Sequence, residues 1–538
     1  MTKASSLALA CTTRIKCGPE VIIDYLATHG RARNSALALV DLATDRRWSW
    51  AELDSAANRC ADWLIGQFGP QSGERVAIIA RNSADMILLQ FGCVRAGAIF
   101  VPLNWRLAST EIAGLIADAT PALLLTDVAM PDINFSGTQH LICDLDALTA
   151  GSRSEPLPKS ARRPWDAPST LLYTSGTSGT PKGVMISEEN AYWGSVNFVL
   201  GNGVSQDSVF LCDMPLFHTA GLFANARTPI LAGGTLLVSK GFDPDMTLQR
   251  LSDAALGITH YFSVPQMAQM LWNQPGFDPA KLSRLQVYAT GGAPNPAAQI
   301  ERFVGAGISM SDGFGMTETG SNFGMPLDDA ALLMSKAGSI GLPYLAVEAC
   351  IVNEAGEIVP VGEIGELWVR GPSISSGYWN QPDRTAAAFD GDWFKTGDAA
   401  RSDADGYYFL VDRKKDMFIS GGENVYPAEV EAVIAEIEDV AECAVVGVPD
   451  DKWGEVGIAY IVPAPGKNVT GNDVLTFCKS RLAAFKTPKS VVIMDALPRT
   501  ASGKVQKHIL MENAQINWLA FSAKNPSMPA QTDNNPQA

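Results

Sequence analysis

Short apolar runs separated by helical stretches organise the first two thirds of this chain. Arg75-Val76-Ala77-Ile78-Ile79-Ala80 reads as a buried strand, because the run is unbroken, partly β-branched and too short for a helix. Residues 86–96 follow as a helix, and Ala98-Ile99-Phe100-Val101-Pro102-Leu103 as the next strand. Residues 122–126, 234–239, 258–264 and 285–289 are further strand candidates. Such alternation predicts an α/β architecture of parallel sheets covered by helices. In such sheets ligands sit beyond the carboxyl ends of the strands. The pattern changes near residue 343. Segments 347–352, 365–369 and 407–411 read as short antiparallel strands with Gly, Pro and Asp turns. After Asp412 the chain becomes compact α+β, with helices over 428–437 and 472–484 and strands over 444–448, 458–462 and 491–494. A domain boundary is expected at 412–416. From Phe521 onward Pro, Asn, Gln, Ser and Ala dominate, and a disordered tail is expected. No internal repeat is visible.

Length and composition fit this division. The chain's 538 residues exceed the ~250–300 at which single cores stop growing, so two or more domains are expected. A hydrophobic content of 46% with 18% charged residues marks a globular, well-buried protein. The net charge of −16 argues against nucleic acid as the main partner, since a phosphate backbone needs a basic face. A phosphorylated cofactor must be held locally, by loops and a few Lys or Arg residues. Nine cysteines form no CxxC pair. Neither a disulfide framework nor a structural zinc is suggested, and a reducing cytoplasm is the simplest reading. The apolar run of Leu7-Ala8-Leu9-Ala10-Cys11 is too short for a signal peptide. No stretch approaches the ~18 apolar residues of a membrane span.

The densest chemistry lies at Tyr173-Thr174-Ser175-Gly176-Thr177-Ser178-Gly179-Thr180-Pro181-Lys182-Gly183, after the apolar pair Leu171-Leu172. Glycines let backbone N–H groups turn inward around an anion, hydroxyls add donors, and the lysine supplies a point charge. The natural guest is a polyphosphate, although the spacing is not that of a Walker A loop. A flexible surface loop would have the same composition. Five further segments join it. Gly291-Gly292-Ala293-Pro294 is a tight turn suited to the face of a base. In the stretch from Asp312 to Gly320, Phe314 can stack on adenine, and Glu318 can hold Mg²⁺, which prefers oxygen ligands and substrate phosphates. Trp393-Phe394-Lys395-Thr396-Gly397-Asp398 ends in an acid that can bond ribose hydroxyls. Asp412-Arg413-Lys414-Lys415-Asp416 marks the composition boundary. Leu497-Pro498-Arg499-Thr500-Ala501-Ser502-Gly503-Lys504 sets a lysine on a glycine turn. Singly these are turns, a solvated linker and a surface lysine.

Together, in this order, they resemble the adenylate-forming enzymes: acyl- and aryl-CoA synthetases, luciferases and nonribosomal adenylation domains. The resemblance covers roughly residues 30–512. Ile419-Ser420-Gly421-Gly422-Glu423-Asn424-Val425-Tyr426-Pro427-Ala428-Glu429 adds to it. Phe314 stands where the family often has Tyr. The resemblance implies a large N-terminal domain (1–412) of mixed sheets covered by helices, with a small β-barrel-like subdomain. A hinge (413–416), a small mobile α+β C-terminal domain (417–515) and a tail (516–538) complete it. It implies two half-reactions with ATP, Mg²⁺ and coenzyme A: a carboxylate forms an acyl-adenylate and pyrophosphate, then a thiol takes the acyl group and releases AMP. By the same resemblance Thr174, Ser175, Gly176, Thr177, Ser178, Gly179, Thr180 and Lys182 cradle phosphates. Thr317 and Glu318 serve phosphate and metal. Ala293, Pro294, Asp312 and Phe314 form the adenine pocket, and Asp398 and Arg413 hold the ribose. Lys504 stabilises the adenylation transition state, Lys415 is the hinge, and Gly421 and Gly422 line the thiol's approach. His218 stands beside the carboxylate pocket, gating or orienting the acid, although a lone His is more often a core residue.

Amino-acid-activating relatives usually carry an Asp at the position of His218, so an amino-acid substrate is disfavoured: its ammonium would be buried unpaired. No carrier domain follows in the sequence, which favours free coenzyme A. The resemblance to aryl-CoA ligases puts Ala220, Ala224, Gly291, Gly313, Thr317 and Asn322 around the acyl group, a set small enough for an extended hydrophobic acid. Feruloyl- and 4-coumarate-CoA synthetases and fatty acyl-CoA synthetases look similar in wording. The expected substrate is therefore a hydroxycinnamate-like acid or a medium- to long-chain fatty acid, of phenylpropanoid or fatty acid metabolism. The alternatives are an adenylating enzyme with another acceptor, a carrier protein or oxygen, and an inactive nucleotide-binding protein. A homo-oligomer is compatible with the sequence.

Overall fold

The computed structural model describes residues 23–127, 133, 135–158, 161–174, 181–293, 295–327, 329–413, 416–420, 423–450, 453–499 and 505–514, with the backbone alone at 412, 413 and 424. The N-terminal part holds two largely parallel sheets. The strands are β1 (Leu37–Asp41), β2 (Arg46–Ser49), β3 (Arg75–Ile79), β4 (Ile99–Leu103), β5 (Leu123–Thr126), β6 (Thr138–Leu141), β7 (Pro168–Thr174), β8 (Lys182–Ser187), β9 (Val209–Cys212), β10 (Thr235–Val238), β11 (His260–Ser263), β12 (Val287–Thr290) and β13 (Met310–Asp312). One sheet runs β6-β5-β3-β4-β7-β8 and the other β13-β12-β11-β9-β10-β1-β2, with antiparallel pairing only at β7–β8 and β1–β2.

The unbroken apolar runs have a physical cause. On β3, Val76 and Ile78 enter the large core that both sheets share, whereas Ala77 and Ile79 enter a second core under the helix Ser109–Ala119. A strand covered on both faces has no polar side to show. The helix Ala84–Ala96 is buried along its whole length, starts on a Ser83 cap and stops at Gly97, in the left-handed region at φ 72°. It begins two residues before the sequence suggests.

The antiparallel region follows. It comprises β14 (Phe314–Met316), β15 (Gly320–Gly324) and β16 (Leu342–Pro343) in one small sheet. A second contains β17 (Glu348–Val352), β18 (Gly365–Arg370), β19 (Phe389–Asp390), β20 (Trp393–Ser402) and β21 (Tyr408–Arg413). The last sheet contains β22 (Phe418–Ser420), β23 (Glu423–Val425), β24 (Val440–Asp450), β25 (Gly454–Pro463) and β26 (Ser490–Ile493), flanked by the helices Pro427–Ile434 and Gly471–Lys479. Both helices are shorter than their apolar patterns suggest. The second opens on a Thr470–Asp473 capping box, and after Lys479 the chain tightens, with Arg481 N–H donating to Cys478 O at 3.0 Å. The expected tail lies outside the described residues. No helix among the described residues is long and apolar enough to cross a membrane.

Candidate active site

The glycine- and hydroxyl-rich loop joins two antiparallel strands, β7 and β8, rather than a strand to a helix. Thr174 and Lys182 are directly paired across them, so the two ends of the loop are held side by side. Ser175, Gly176, Thr177, Ser178, Gly179 and Thr180 lie outside the described residues. The Lys182 ammonium sits 4.7 Å from the centroid of the Tyr378 ring. The Tyr378 hydroxyl donates to Glu318 Oε1 at 3.0 Å. Tyr378 is fixed because its segment adds to the free edge of β8: Trp379 N–H donates to Gly183 O at 2.7 Å, and Met185 N–H to Gly377 O at 2.9 Å. Gly377, at φ 127°, lies against the Thr385 side chain, where a Cβ would come within 2.2 Å of it. Ser375 N–H donates to the Glu318 carbonyl at 2.7 Å. One short strap thus unites the phosphate-loop lysine and the acidic residue, 136 positions apart in sequence (318 minus 182).

Thr317 and Glu318 occupy the turn between β14 and β15, which Thr319 closes by accepting from Met316 N–H at 3.1 Å. Glu318 is buried at 8% exposure. Among the described residues no three His, Cys, Asp or Glu side chains gather as a metal cage. A single buried carboxylate beside hydroxyls suits Mg²⁺, which is usually held by one or two carboxylates together with substrate phosphates.

The adenine-pocket candidates lie at the carboxyl ends of β12 and β13. Thr290 and Asp312 are paired there, and Gly313 N–H donates to Thr290 O at 3.0 Å. Thr290 Oγ1 lies 3.0 Å from Asp312 Oδ1 and accepts from Asn295 Nδ2 at 2.8 Å. Burial pushes the Asp312 carboxyl up to about 7, against the lowering effect of hydrogen bonds from Thr290, Gly313 and Asn295. Phe314 is half-buried, edge-on to Phe323 at 5.9 Å. Ala293 is exposed, and Pro294 lies outside the described residues. Gly291 and Gly313 serve close backbone packing. A Cβ on Gly291 would stand 3.0 Å from Gly313 O and 3.2 Å from the Phe262 ring, and one on Gly313 2.9 Å from Phe323 O.

Asp398 sits on β20 opposite Arg413 on β21, so the two ribose candidates are neighbours across a strand pair. Gly397, at φ 72°, bends the strand just before Asp398. The buried Thr396 hydroxyl holds the bend by donating to Leu367 O at 2.7 Å and accepting from Asp398 N–H at 3.1 Å.

His218 lies in the turn after β9. Its N–H donates to Pro215 O at 3.1 Å, and its ring leans on Phe217 at 4.7 Å. Asn82, three residues beyond β3, clamps this turn: Nδ2 donates to Met214 O and Oδ1 accepts from Leu216 N–H, both at 2.9 Å. Ala220–Arg227 is a π-helix. Such helices are rare and occur frequently at functional sites. Ala224 is buried and Ala220 partly so. Arg227, at the end of this helix, is buried against Glu188 (2.6 Å) and the Tyr25 hydroxyl (2.6 Å). Asn322 is fully buried on β15. Its Nδ2 donates to Thr319 O at 3.2 Å, and its Oδ1 has no hydrogen-bond partner among the described residues. Lys415, Gly421, Gly422 and Lys504 lie outside the described residues. Sequence reasoning missed Tyr378, Asn82 and Arg227, because nothing local in the sequence marks a partner so many positions away, and it missed Asn295, whose partner Thr290 is only five positions off.

Residues 26–379 match the family model described as AMP-binding enzyme, and residues 429–504 match the AMP-binding enzyme C-terminal domain. The chain therefore belongs to the AMP-binding enzymes, the adenylate-forming superfamily. It is 38% identical to a feruloyl-CoA synthase of Amycolatopsis sp, over 89% of this chain and 96% of that one. It is 36% identical to an indoleacetate–CoA ligase of Aromatoleum aromaticum (86% and 92%) and 34% identical to the long-chain-fatty-acid–CoA ligase FadD13 of Mycobacterium tuberculosis (88% and 95%). Among solved structures it is similar to ATP-bound MatB from Rhodopseudomonas palustris, with a TM-score of 0.82, 30% identity and coverage of 92% and 99%. Against the apo form of MatB the coverage and identity are the same and the TM-score is 0.73. Within the superfamily the chain is an acyl-CoA synthetase, of the class that uses ATP, Mg²⁺ and coenzyme A.

Proposed function

We propose that this synthetase activates a hydrophobic carboxylic acid, an aryl acid of the hydroxycinnamate kind first. The observation that carries the chemistry is the strap at Tyr378, which gathers Lys182 and Glu318 at the mouth of the phosphate loop. The Lys182 ammonium and the loop's donors take the β- and γ-phosphates. Glu318, with Thr317, would hold Mg²⁺, which would supply charge neutralisation at the phosphates. Phe314, Ala293, Pro294 and Asp312 surround the base, and Asp398 with Arg413 takes the ribose hydroxyls. A carboxylate oxygen of the acid bonds to the α-phosphorus while the bond to pyrophosphate breaks, and Lys504 stabilises the charge that develops. The small domain (417–515) then turns about Lys415 in the hinge (413–416) relative to the large one (1–412). Gly421 and Gly422 line the approach of the thiol. Its sulfur bonds to the acyl carbon, AMP leaves, and the thiol proton passes to solvent. His218 orients the acid.

The acyl pocket lies among Ala220, Ala224, Gly291, Gly313 and Asn322. The aromatic rings of Phe262, against Gly291, and Phe198, 6.1 Å from Phe262, give it a wall suited to a flat ring. The feruloyl and indoleacetate relatives support the same choice. The similarity to the fatty-acid ligase favours a medium- or long-chain acid as the second reading. The protein is proposed to act in the cytoplasm. Comparing kcat/KM for coenzyme A ligation across aryl acids and C4–C16 fatty acids tests the assignment. Aryl acids should lead; a clear preference for C12–C16 acids would transfer it to the second reading, and activity on short dicarboxylates alone would refute both.

A further inference from the structure

One polar contact crosses from the large domain to the small one at a telling place. Gln266, in the first turn of the helix Pro265–Trp272, donates through Nε2 to Glu442 Oε1 on β24 at 3.1 Å. The other oxygen of Glu442 accepts from Arg499 Nη2 at 2.9 Å. All three side chains are only partly exposed. Arg499 lies five residues before Lys504 in the sequence. The backbone of Arg499 bridges to Val505, and Gln506 N–H donates to Pro498 O at 2.8 Å. The chain leaves at Arg499 and returns at Val505, with Lys504 directly before the return. Gln266 itself is two residues beyond Val264 and three beyond β11, whose neighbour β12 leads into the adenine-pocket turn.

The whole-chain arrangement that contains this contact agrees better with ATP-bound MatB than with apo MatB, at TM-scores of 0.82 and 0.73 for the same identity and coverage. We infer that Gln266, Glu442 and Arg499 form a latch that holds the Arg499–Val505 bridge, adjacent to Lys504 in the sequence, against the large domain during adenylation and opens for thioester formation. All three are positioning residues: they act through Lys504 and touch neither ATP nor the acid. The inference rests on the role given to Lys504 above. A latch of this kind must be weak, because it has to open once per turnover. A partly exposed polar pair meets that need, because solvent competes for both partners.

The test is an isosteric swap. Gln266→Glu sets two carboxylates against each other. Adding Glu442→Gln restores a donor–acceptor pair of the same shape with the roles exchanged. Two readouts are taken on full-length protein: the rates of the two half-reactions, and the inter-domain distance distribution from a dye pair with one dye on each domain, under saturating ATP. Gln266→Glu should slow carboxylate-dependent pyrophosphate exchange about two- to fivefold. Thioester formation from supplied acyl-adenylate should be unchanged, and the close population should shrink. The double variant should recover both. A distance distribution that Gln266→Glu leaves unmoved, or that the double variant fails to restore, overturns the latch. Should the wild type show no exchange with any acid, the reading of Lys504 falls instead, while the distance readout still decides the latch.

Discussion

Single residues bear on this enzyme in different ways, and the role proposed for Lys504 and the burial of Asp312 are two of them. In its proposed role Lys504 supplies charge at a developing anion, and losing one such donor typically costs about 10²–10³ in rate. Lys504→Ala should therefore abolish adenylation and leave thioester formation from supplied acyl-adenylate near the wild-type rate; equal loss in both half-reactions would refute the assignment. Asp312 acts on stability. Its folded carboxyl titrates near 7 because it is buried, against an ordinary value of 3.8. Between those values the folded state keeps a proton that the unfolded state has lost, so stability falls as pH rises through the window and levels off above it. In urea titrations from pH 4 to 8, the wild type should lose stability relative to Asp312→Asn up to about pH 7. A pH-independent difference would mean that Asp312 titrates normally. At this scale, local motifs in the sequence singled out Lys182, Glu318, Asp312 and Asp398. Tyr378 and Asn82 were not, since a tyrosine or an asparagine acquires its meaning only when the fold brings its partner.

Among the elements, the π-helix Ala220–Arg227 carries the substrate argument. Its far end is locked by the buried Arg227–Glu188 pair, and its near end by the clamped turn around His218. A larger side chain on it cannot be absorbed by sliding the helix. Ala224→Phe should therefore fill the acyl pocket at a cost of about 1–3 kcal/mol to bulky acids. The expected signature is a raised KM for aryl and long-chain acids, with butyrate spared and the KM for ATP unchanged. Weakening of all acids and ATP alike would misplace the pocket. Nothing in the sequence marked this element as a π-helix, which leaves no periodic trace in eight residues. The strands of the parallel sheets were legible for the opposite reason: burial on both faces writes an unbroken apolar run. The phosphate loop shows the limit of that reading. Its strand was visible, but its return as an antiparallel edge strand, open to the 377–379 strap, was not.

For the whole molecule, the account depends on two domains that serve two half-reactions. The change of pattern after Asp412 is the sequence signal for the division, whereas the contacts between the parts, such as Gln266 with Glu442, left none. If Lys415 is the hinge, Lys415→Pro restricts its φ to about −65°. Pyrophosphate release should persist while transfer to coenzyme A fails; transfer from isolated adenylate at the wild-type rate would place the hinge elsewhere. The central claim, an acid ligase that passes through an adenylate to a coenzyme A thioester, is tested most directly by following ATP, AMP and thioester together with a hydroxycinnamate, with and without coenzyme A. One AMP and one thioester for each ATP consumed, with turnover only when coenzyme A is present, is the predicted result. ADP in place of AMP, or sustained turnover without coenzyme A, would contradict it.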